Sequence, residues 1–442
     1  MAHRVSETTS PFKVPNFRYY WVSRLSMTLA QYAMLLIIGW QTYNIARDGG
    51  MGVAAASGQL ALIGLLQFLP LFLLTPFAGL AADRLDRRNV ARLTIVLQLI
   101  CAAILAALTW TEGVTLWSLF GVAVLMGVAR AFSGPALSAL APNLVPKAIL
   151  PTAIALSSIA WQVGMIVGPA IGGYFYGIIP ALPYAIAVAL FAVSTITLSL
   201  IGDVPRSSIA GLKTGAQRPI GQVLDGLQYV LNNKMVLGAI TLDLFAVFLA
   251  GATALFPVYA RDILQVGEQG LAQLAMAPAA GAALTALFFS FRPLKSNVGP
   301  KMLAAVAVFG IATIIFGVST SMPLSLSMLF IVGAADMFSV YIRQSLIQLH
   351  TPDDKRGRVS SVSLLTISAS NEFGDFFSGA LAYLIGPVLA VVAGGAGAII
   401  TVAIWSQIFP ALRTTRTFDP PEELLDKTED TDPQKANPTG DT

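Results

Sequence analysis

Twelve runs of about twenty or more apolar residues dominate this chain, and they constrain its fold more than any other feature. A helix needs about 20 such residues to cross a hydrocarbon core of about 30 Å. The runs fall near 19–46, 57–81, 90–110, 115–140, 149–178, 183–202, 235–260, 269–291, 300–319, 323–347, 359–385 and 387–410. They are continuous, whereas strands of a membrane β-barrel alternate apolar and polar residues. Hydrophobic residues make up 55% of the chain and charged residues only 11%, against about 25% charged in a soluble domain. The expectation is an all-α membrane protein of twelve transmembrane helices, with the lipid bilayer as its solvent.

Charge placement sets the expected orientation. Of the 27 Lys and Arg, only Arg47 and Arg261 fall at what would be outer loops. Basic residues gather on the cytoplasmic side of membrane proteins, so both termini are expected there. The net charge of +4 is thus a topology signal and needs no nucleic-acid partner. The chain opens on polar MAHRVSETTSPFKVPN, with no cleavable signal expected. Cys101 stands alone, and His3 and His350 are the two histidines, which leaves no disulfide framework and no expected metal centre. No G-x-x-x-x-G-K-[ST] phosphate loop is present, and no nucleophile constellation suggests an enzyme.

The expected organisation follows the spans. Residues 1–16 form a cytoplasmic tail, 17–203 a first six-helix half, and 204–234 a cytoplasmic linker. Residues 235–416 form a second six-helix half, and 417–442 an acidic tail of disordered composition. In the linker, Val223, Leu227, Val230 and Leu231 fall on one helical face, predicting an amphipathic helix along the inner membrane surface.

The halves align weakly on each other. GLLQFLP (64–70) resembles GLAQLAMAP (270–278), and AWQVGMIVGPAIGGY (160–174) registers on SNEFGDFFSGALAY (370–383) with Gln162 against Glu372. Two parallel repeats with a solute bound between them near mid-membrane form a known transporter plan.

Two motifs are more specific. GLAADRLDRRNV (79–90) follows the second span; GMIVGPAIGG (164–173) lies in the fifth. The first resembles the loop signature of the major facilitator superfamily, G-x-x-x-D-R-x-G-R-R/K. Gly79, Asp83, Arg84, Arg87 and Arg88 match it, and Asp86 replaces the usual Gly. The second matches the superfamily's antiporter signature in full, through Gly164, Gly168, Pro169, Gly172 and Gly173. Its glycines at four-residue spacing make a smooth ridge for close helix approach, and Pro169 can bend the helix. DLFAVFLAGATALFPVYARDIL (243–264), IRQSLIQLHTPDDKRGRVSSV (342–362) and SNEFGDFFSG (370–379) resemble the enterobactin (siderophore) exporters and macrolide-efflux pumps of that superfamily. The resemblance implies two rocking halves and proton-driven export of a siderophore-like or amphipathic drug-like molecule across a bacterial inner membrane. It implies a proton gradient in place of a cofactor. A monomer is the expected state. Uptake by the same fold, and a non-transporting membrane sensor or scaffold, are the rival readings.

Charges inside the spans are costly and mark sites. Glu372 lies roughly 20 Å along its span from Arg358, and Asp375 one turn further on. Glu372 is either a proton-coupling acid or half of a helix-tying pair; for Asp375 the pair is favoured. Asp243, about 12 Å into its span, and Asp336 are each a coupling acid or a pair partner. Arg130, about 16 Å inside the fourth span, is expected to face a central cavity, with Arg24 as a second cavity charge. Arg343, near the inner surface, is expected to reach the interface. Gln31, Gln41, Gln67, Trp161, Gln162 and Asn371 are candidate cavity residues for an amphipathic organic solute.

Overall fold

The computed structural model describes residues 10–84, 86–202, 219–294 and 296–418. Within them the fold is helical, with no strand among the described residues. The first half comprises α1 (Pro15–Asp48), α2 (Val53–Arg84), α3 (Arg87–Trp110), α4 (Leu116–Leu140), α5 (Leu150–Tyr176) and α6 (Leu182–Ser199). A short α7 (Pro219–Asn232) precedes the second half. There α8 (Lys234–Ala250) breaks at Gly251 and continues through α9 (Phe256–Val258) and a π-helical turn, Tyr259–Ile263. The second half goes on with α10 (Gly267–Phe291), α11 (Val298–Val318), α12 (Met322–Leu349), α13 (Asp353–Ile385), α14 (Pro387–Ile408) and the short α15 (Pro410–Thr414).

Eleven described helical segments are long and apolar enough to cross a membrane. The twelfth, α13, has the length, at 33 residues, and its described stretch Phe373–Ile385 is apolar apart from Asp375. Its first turns carry Asp353, Asp354, Lys355, Arg356 and Arg358, which lowers its hydropathy without shortening it.

The repeat inferred from the sequence reappears in the packing. In the first half α1 packs on α5 and α6, α2 on α4, and α3 on α4 and α6. The second half repeats each pairing: α8 on α13 and α14, α10 on α12, and α11 on α12 and α14. Between halves the partners are exchanged, α2 packing on α13 and α5 on α10. Each half has its own apolar core, one around Tyr20, Met34, Ile95 and Phe191, the other around Leu242, Met302 and Ile342. A further cluster crosses between halves, joining Trp40, Tyr43 and Leu60 to Leu255, Tyr259 and Leu271. It lies at the end of the molecule away from the termini, called the distal end below.

Helix α7 lies on the second half at the opposite, proximal end. Val230 is buried against Val236, Ile347 and Val359. The Tyr229 hydroxyl donates to the His350 carbonyl at 2.8 Å, and Arg358 pairs directly with Asp225. Leu227 and Leu231 remain exposed.

Candidate transport site

The centre of the first half is shaped by a close helix approach. A Cβ on Gly127 of α4 would collide with the backbone of Gln67 on α2, so glycine lets the two helices touch. One turn further along α4, Arg130 Nη1 then donates to Gln67 Oε1 at 3.3 Å. These two, with Gln31, Tyr32, Leu35, Ile38 and Met126, line a small cavity. All seven belong to α1, α2 and α4, near the middle of each helix. A guanidinium and two amides on an otherwise apolar wall suit an amphipathic solute that presents oxygen acceptors.

The other expected cavity residues divide. Trp161 is 40% exposed and meets Tyr32 edge to face at 6.5 Å, beside that cavity. Gln162 is half-buried and Asn371 exposed. Gln41 does not line the cavity. Its oxygen accepts from the Tyr184 hydroxyl at 2.7 Å and its amide donates to Thr109 at 3.2 Å, so it ties α1 to α3 and α6. Arg24 donates to the Tyr20 hydroxyl at 3.2 Å, one turn away on its own helix.

An aromatic wall, which the sequence reading missed, joins α2 to α8 and α13. Phe373 lies 5.6 Å from Phe68 and 5.4 Å from Phe248, and Phe377 stands 4.8 Å from Phe248. Phe68 follows Gln67 directly, so α2 presents an amide to one side and a ring to the other.

In the second half the intramembrane charges meet. Arg343 of α12 is only 2% exposed and pairs directly with Asp243 of α8, itself 6% exposed. This corrects the expectation that Arg343 reaches the interface. Its helix continues to Leu349, and the side chain turns inward because a buried carboxylate awaits it there. Asp243 is accordingly half of an ion pair. Asp243 and Asp336 line one small cavity with Val306, Phe309 and Ser339. Asp375 accepts from the Thr253 hydroxyl at 2.5 Å. The side chain of Glu372 lies outside the described residues.

The glycine ridge of α5 packs within its own half. A Cβ at Gly168 would stand 2.7 Å from Tyr32 Cβ, and one at Gly172 would stand 2.9 Å from the Ala33 carbonyl oxygen, both on α1. Gly164 likewise faces Thr28. Gly173 alone of the motif turns to the other half, where its Cβ would meet Ala272 Cβ and the Glu268 oxygen at 2.5 Å. Pro169 is buried in the same helix.

Gly79, Asp83 and Arg84 fall in the last turns of α2 rather than in the loop after it, and their side chains lie outside the described residues. Asp86, the departure from the family pattern, accepts from the Arg88 backbone amide at 2.9 Å and caps α3. Arg88 Nη1 donates to the carbonyls of Ile201 and Gly202 at 2.6 and 3.1 Å, binding α3 to the end of α6. Arg87 begins α3 and is half-buried.

The distal end carries a cluster unassigned by the sequence reading, although its signal was available. The tripeptide Ala-Arg-Asp stands at 46–48 and again at 260–262, at matching ends of α1 and of the α8–α9 segment. The copies pair crosswise. Arg47 Nη2 lies 2.9 Å from Asp262 Oδ1, and Arg261 Nη2 lies 2.6 Å from Asp48 Oδ1. Tyr43 donates to Asp262, and Arg261 also donates to Asn44 Oδ1 at 2.6 Å. The two basic residues expected at the outer surface thus both bridge the halves.

These features define a two-half, all-helical carrier fold, and the chain belongs to the Major Facilitator Superfamily, whose model matches residues 20–374. It is 28% identical over 341 residues to the multidrug efflux pump Tap of Mycobacterium tuberculosis, covering 74% of this chain and 79% of that protein. It is 24% identical to macrolide efflux protein A of Streptococcus pyogenes, covering 74% and 81%. To the enterobactin exporter EntS of Escherichia coli it is 23% identical over 417 residues, covering 90% and 97%. Among solved structures, a bacterial homolog of the human lysosomal transporter Spinster, inward-facing and unoccupied, superposes with a TM-score of 0.69. The identity is 15%, over 91% of this chain and 99% of that one. At that identity the likeness concerns the fold.

Proposed function

We propose that this chain exports an organic small molecule from a bacterial cell in exchange for protons, as a monomer in the inner membrane with both termini cytoplasmic. The observation that carries the reading is the pairing of a closed distal mouth with a mid-depth cavity. Reciprocal ion pairs and an apolar cluster join the halves at one end, while Arg130 and Gln67 offer a polar anchor near the middle. A solute held there leaves on the distal side only after the halves rock apart. The Arg130 pocket takes the acceptor end of the solute, and the Phe68–Phe373–Phe248 wall takes its apolar body. The full antiporter signature and the efflux proteins among the relatives favour export over uptake. The proton gradient supplies the energy, without a cofactor or an enzymatic step.

The test is transport by the purified protein in liposomes of known sidedness. With a proton gradient imposed, a macrolide or the dye fluorescein should move against its own gradient, opposite to the protons. Movement in the same direction as protons would establish uptake. No movement under any gradient would establish the sensor or scaffold. Comparison of culture medium from cells with and without the gene then identifies the natural cargo.

A further inference from the structure

The cavity between α8, α11 and α12 is lined by two carboxylates, Asp243 and Asp336, inside a membrane-spanning half, and the Arg343 guanidinium reaches the first of them. Asp243 and Arg343 neutralise each other by direct contact. Asp336 lines the same cavity and has no ion-pair partner among the described residues. An uncompensated carboxylate at mid-membrane is costly, and a bound cation removes that cost.

The geometry brings the three groups to bear on one another. Asp336 and Arg343 are seven residues apart on α12, two turns along one face, or roughly 10 Å. Long helical side chains lean towards the helix N-terminus, which aims Arg343 back along α12 towards Asp336. The Arg343 Nε–H has no acceptor among the described atoms, so one carboxylate does not saturate the guanidinium. Ser339, 4% exposed, adds a hydroxyl to the same wall.

The surrounding helices bring little other charge. No ionisable residue occurs in α14, and α10 has only Glu268, in its distal first turn. Lys301 lies in the first turn of α11, at the proximal end. From α13 come Asp353, Asp354, Lys355, Arg356 and Arg358 in its proximal first turns, Asp375, already bonded to Thr253, and Glu372, whose side chain is outside the described residues.

We propose that this cavity is the proton site of the transporter, with Asp336 as the carboxyl that gains and releases the proton beside the fixed, internally neutral Asp243–Arg343 pair. A proton from water adds to a carboxylate oxygen of Asp336 and later returns to water, with no other bond changed. The site lies wholly in the second half, whereas the Arg130 cavity lies wholly in the first. Solute and proton therefore do not compete for one carboxylate, and coupling passes through the relative motion of the halves. This assignment rests on the antiport reading, but the site can be observed without transport.

The experiment is infrared difference spectroscopy of the purified protein in lipid nanodiscs, comparing mildly acidic and mildly alkaline buffer without sodium. The wild-type protein should show a protonated-carboxyl band that is lost in Asp336→Asn and kept in Asp375→Asn and Glu372→Gln. Asp336→Glu retains the carboxyl and should show the band at a shifted frequency, which tests the assignment even where Asp336→Asn folds poorly. A band unchanged in both Asp336 variants overturns the assignment. Loss of the band on adding sodium chloride overturns it in favour of a sodium site. If the band behaves as expected while wild-type liposomes show no solute-driven proton flux, the site stands and the antiport reading falls.

Discussion

Arg47 Nη2 and Asp262 Oδ1 stand 2.9 Å apart, joining the last turn of α1 to the turn that follows α9. The contact is between halves, and Arg261–Asp48 repeats it in the opposite sense. Both pairs are partly solvent-exposed, and such pairs contribute about 0.2–1 kcal/mol each. Breaking one should shift the closed-to-open ratio of the distal mouth by up to about fivefold. Arg47→Asp should widen distances between spin labels in the distal loops, and adding Asp262→Arg should restore them. Unchanged distances in Arg47→Asp would show that the pair does not hold the mouth closed.

The glycines of α5 should separate into two behaviours. Gly168→Leu forces a side chain into α1 of the same half, and overpacking typically costs about 1–3 kcal/mol. Both access states contain that contact, so expression and thermal stability should fall together. Gly173→Val places its bulk against Glu268 and Ala272 of the other half, a contact present only while the distal mouth is closed. It should leave the melting temperature near wild type while raising labelling of distal cavity cysteines on a Cys101→Ser background. Equal loss of stability in both variants would refute the separation.

Arg130 should select for solute charge. A hydrogen bond to a charged group contributes about 1.5–3 kcal/mol, so Arg130→Met should weaken fluorescein binding by about tenfold or more. Binding of the cationic dye ethidium should be unchanged or improved. Equal weakening of both dyes, measured by fluorescence titration, would remove Arg130 from the solute pocket.

The proximal end should be acid-sensitive through His350. Burial holds its imidazole below the ordinary value of 6.5, opposed by a bond to the Leu346 carbonyl. The unfolded chain therefore binds the proton more readily than the folded one, and stability falls as pH drops through that ordinary value. Melting temperatures across the acidic range should fall less steeply in His350→Gln than in the wild type. Parallel curves would exclude the histidine as the cause.

The helices were legible because a bilayer demands long continuous apolar runs, and the runs are in the sequence. The packing of Gly127 on Gln67 and the pairing of Asp243 with Arg343 were not. Asp243 and Arg343 are a hundred residues apart in the chain, and their contact depends on how α8 and α12 face each other. Arg343 was misread because distance from a loop measures depth only, whereas the direction of a side chain is set by its neighbours. The glycine motif was plain, but which helix its ridge meets was not: spacing defines a smooth face, and topology decides what covers it. The Ala-Arg-Asp repeat was legible and passed over, since charges at span ends ordinarily report orientation.

That repeated tripeptide has a consequence for how such a molecule can be assembled. In a twofold dimer each subunit offers the same patch, and the patch must complement itself. Arginine beside aspartate is the simplest such patch, because a half-turn sets each charge against its opposite. The distal contact is built in this way from one motif used twice, although both copies lie on a single chain. Its two sides are the two sides of an isologous interface, covalently joined.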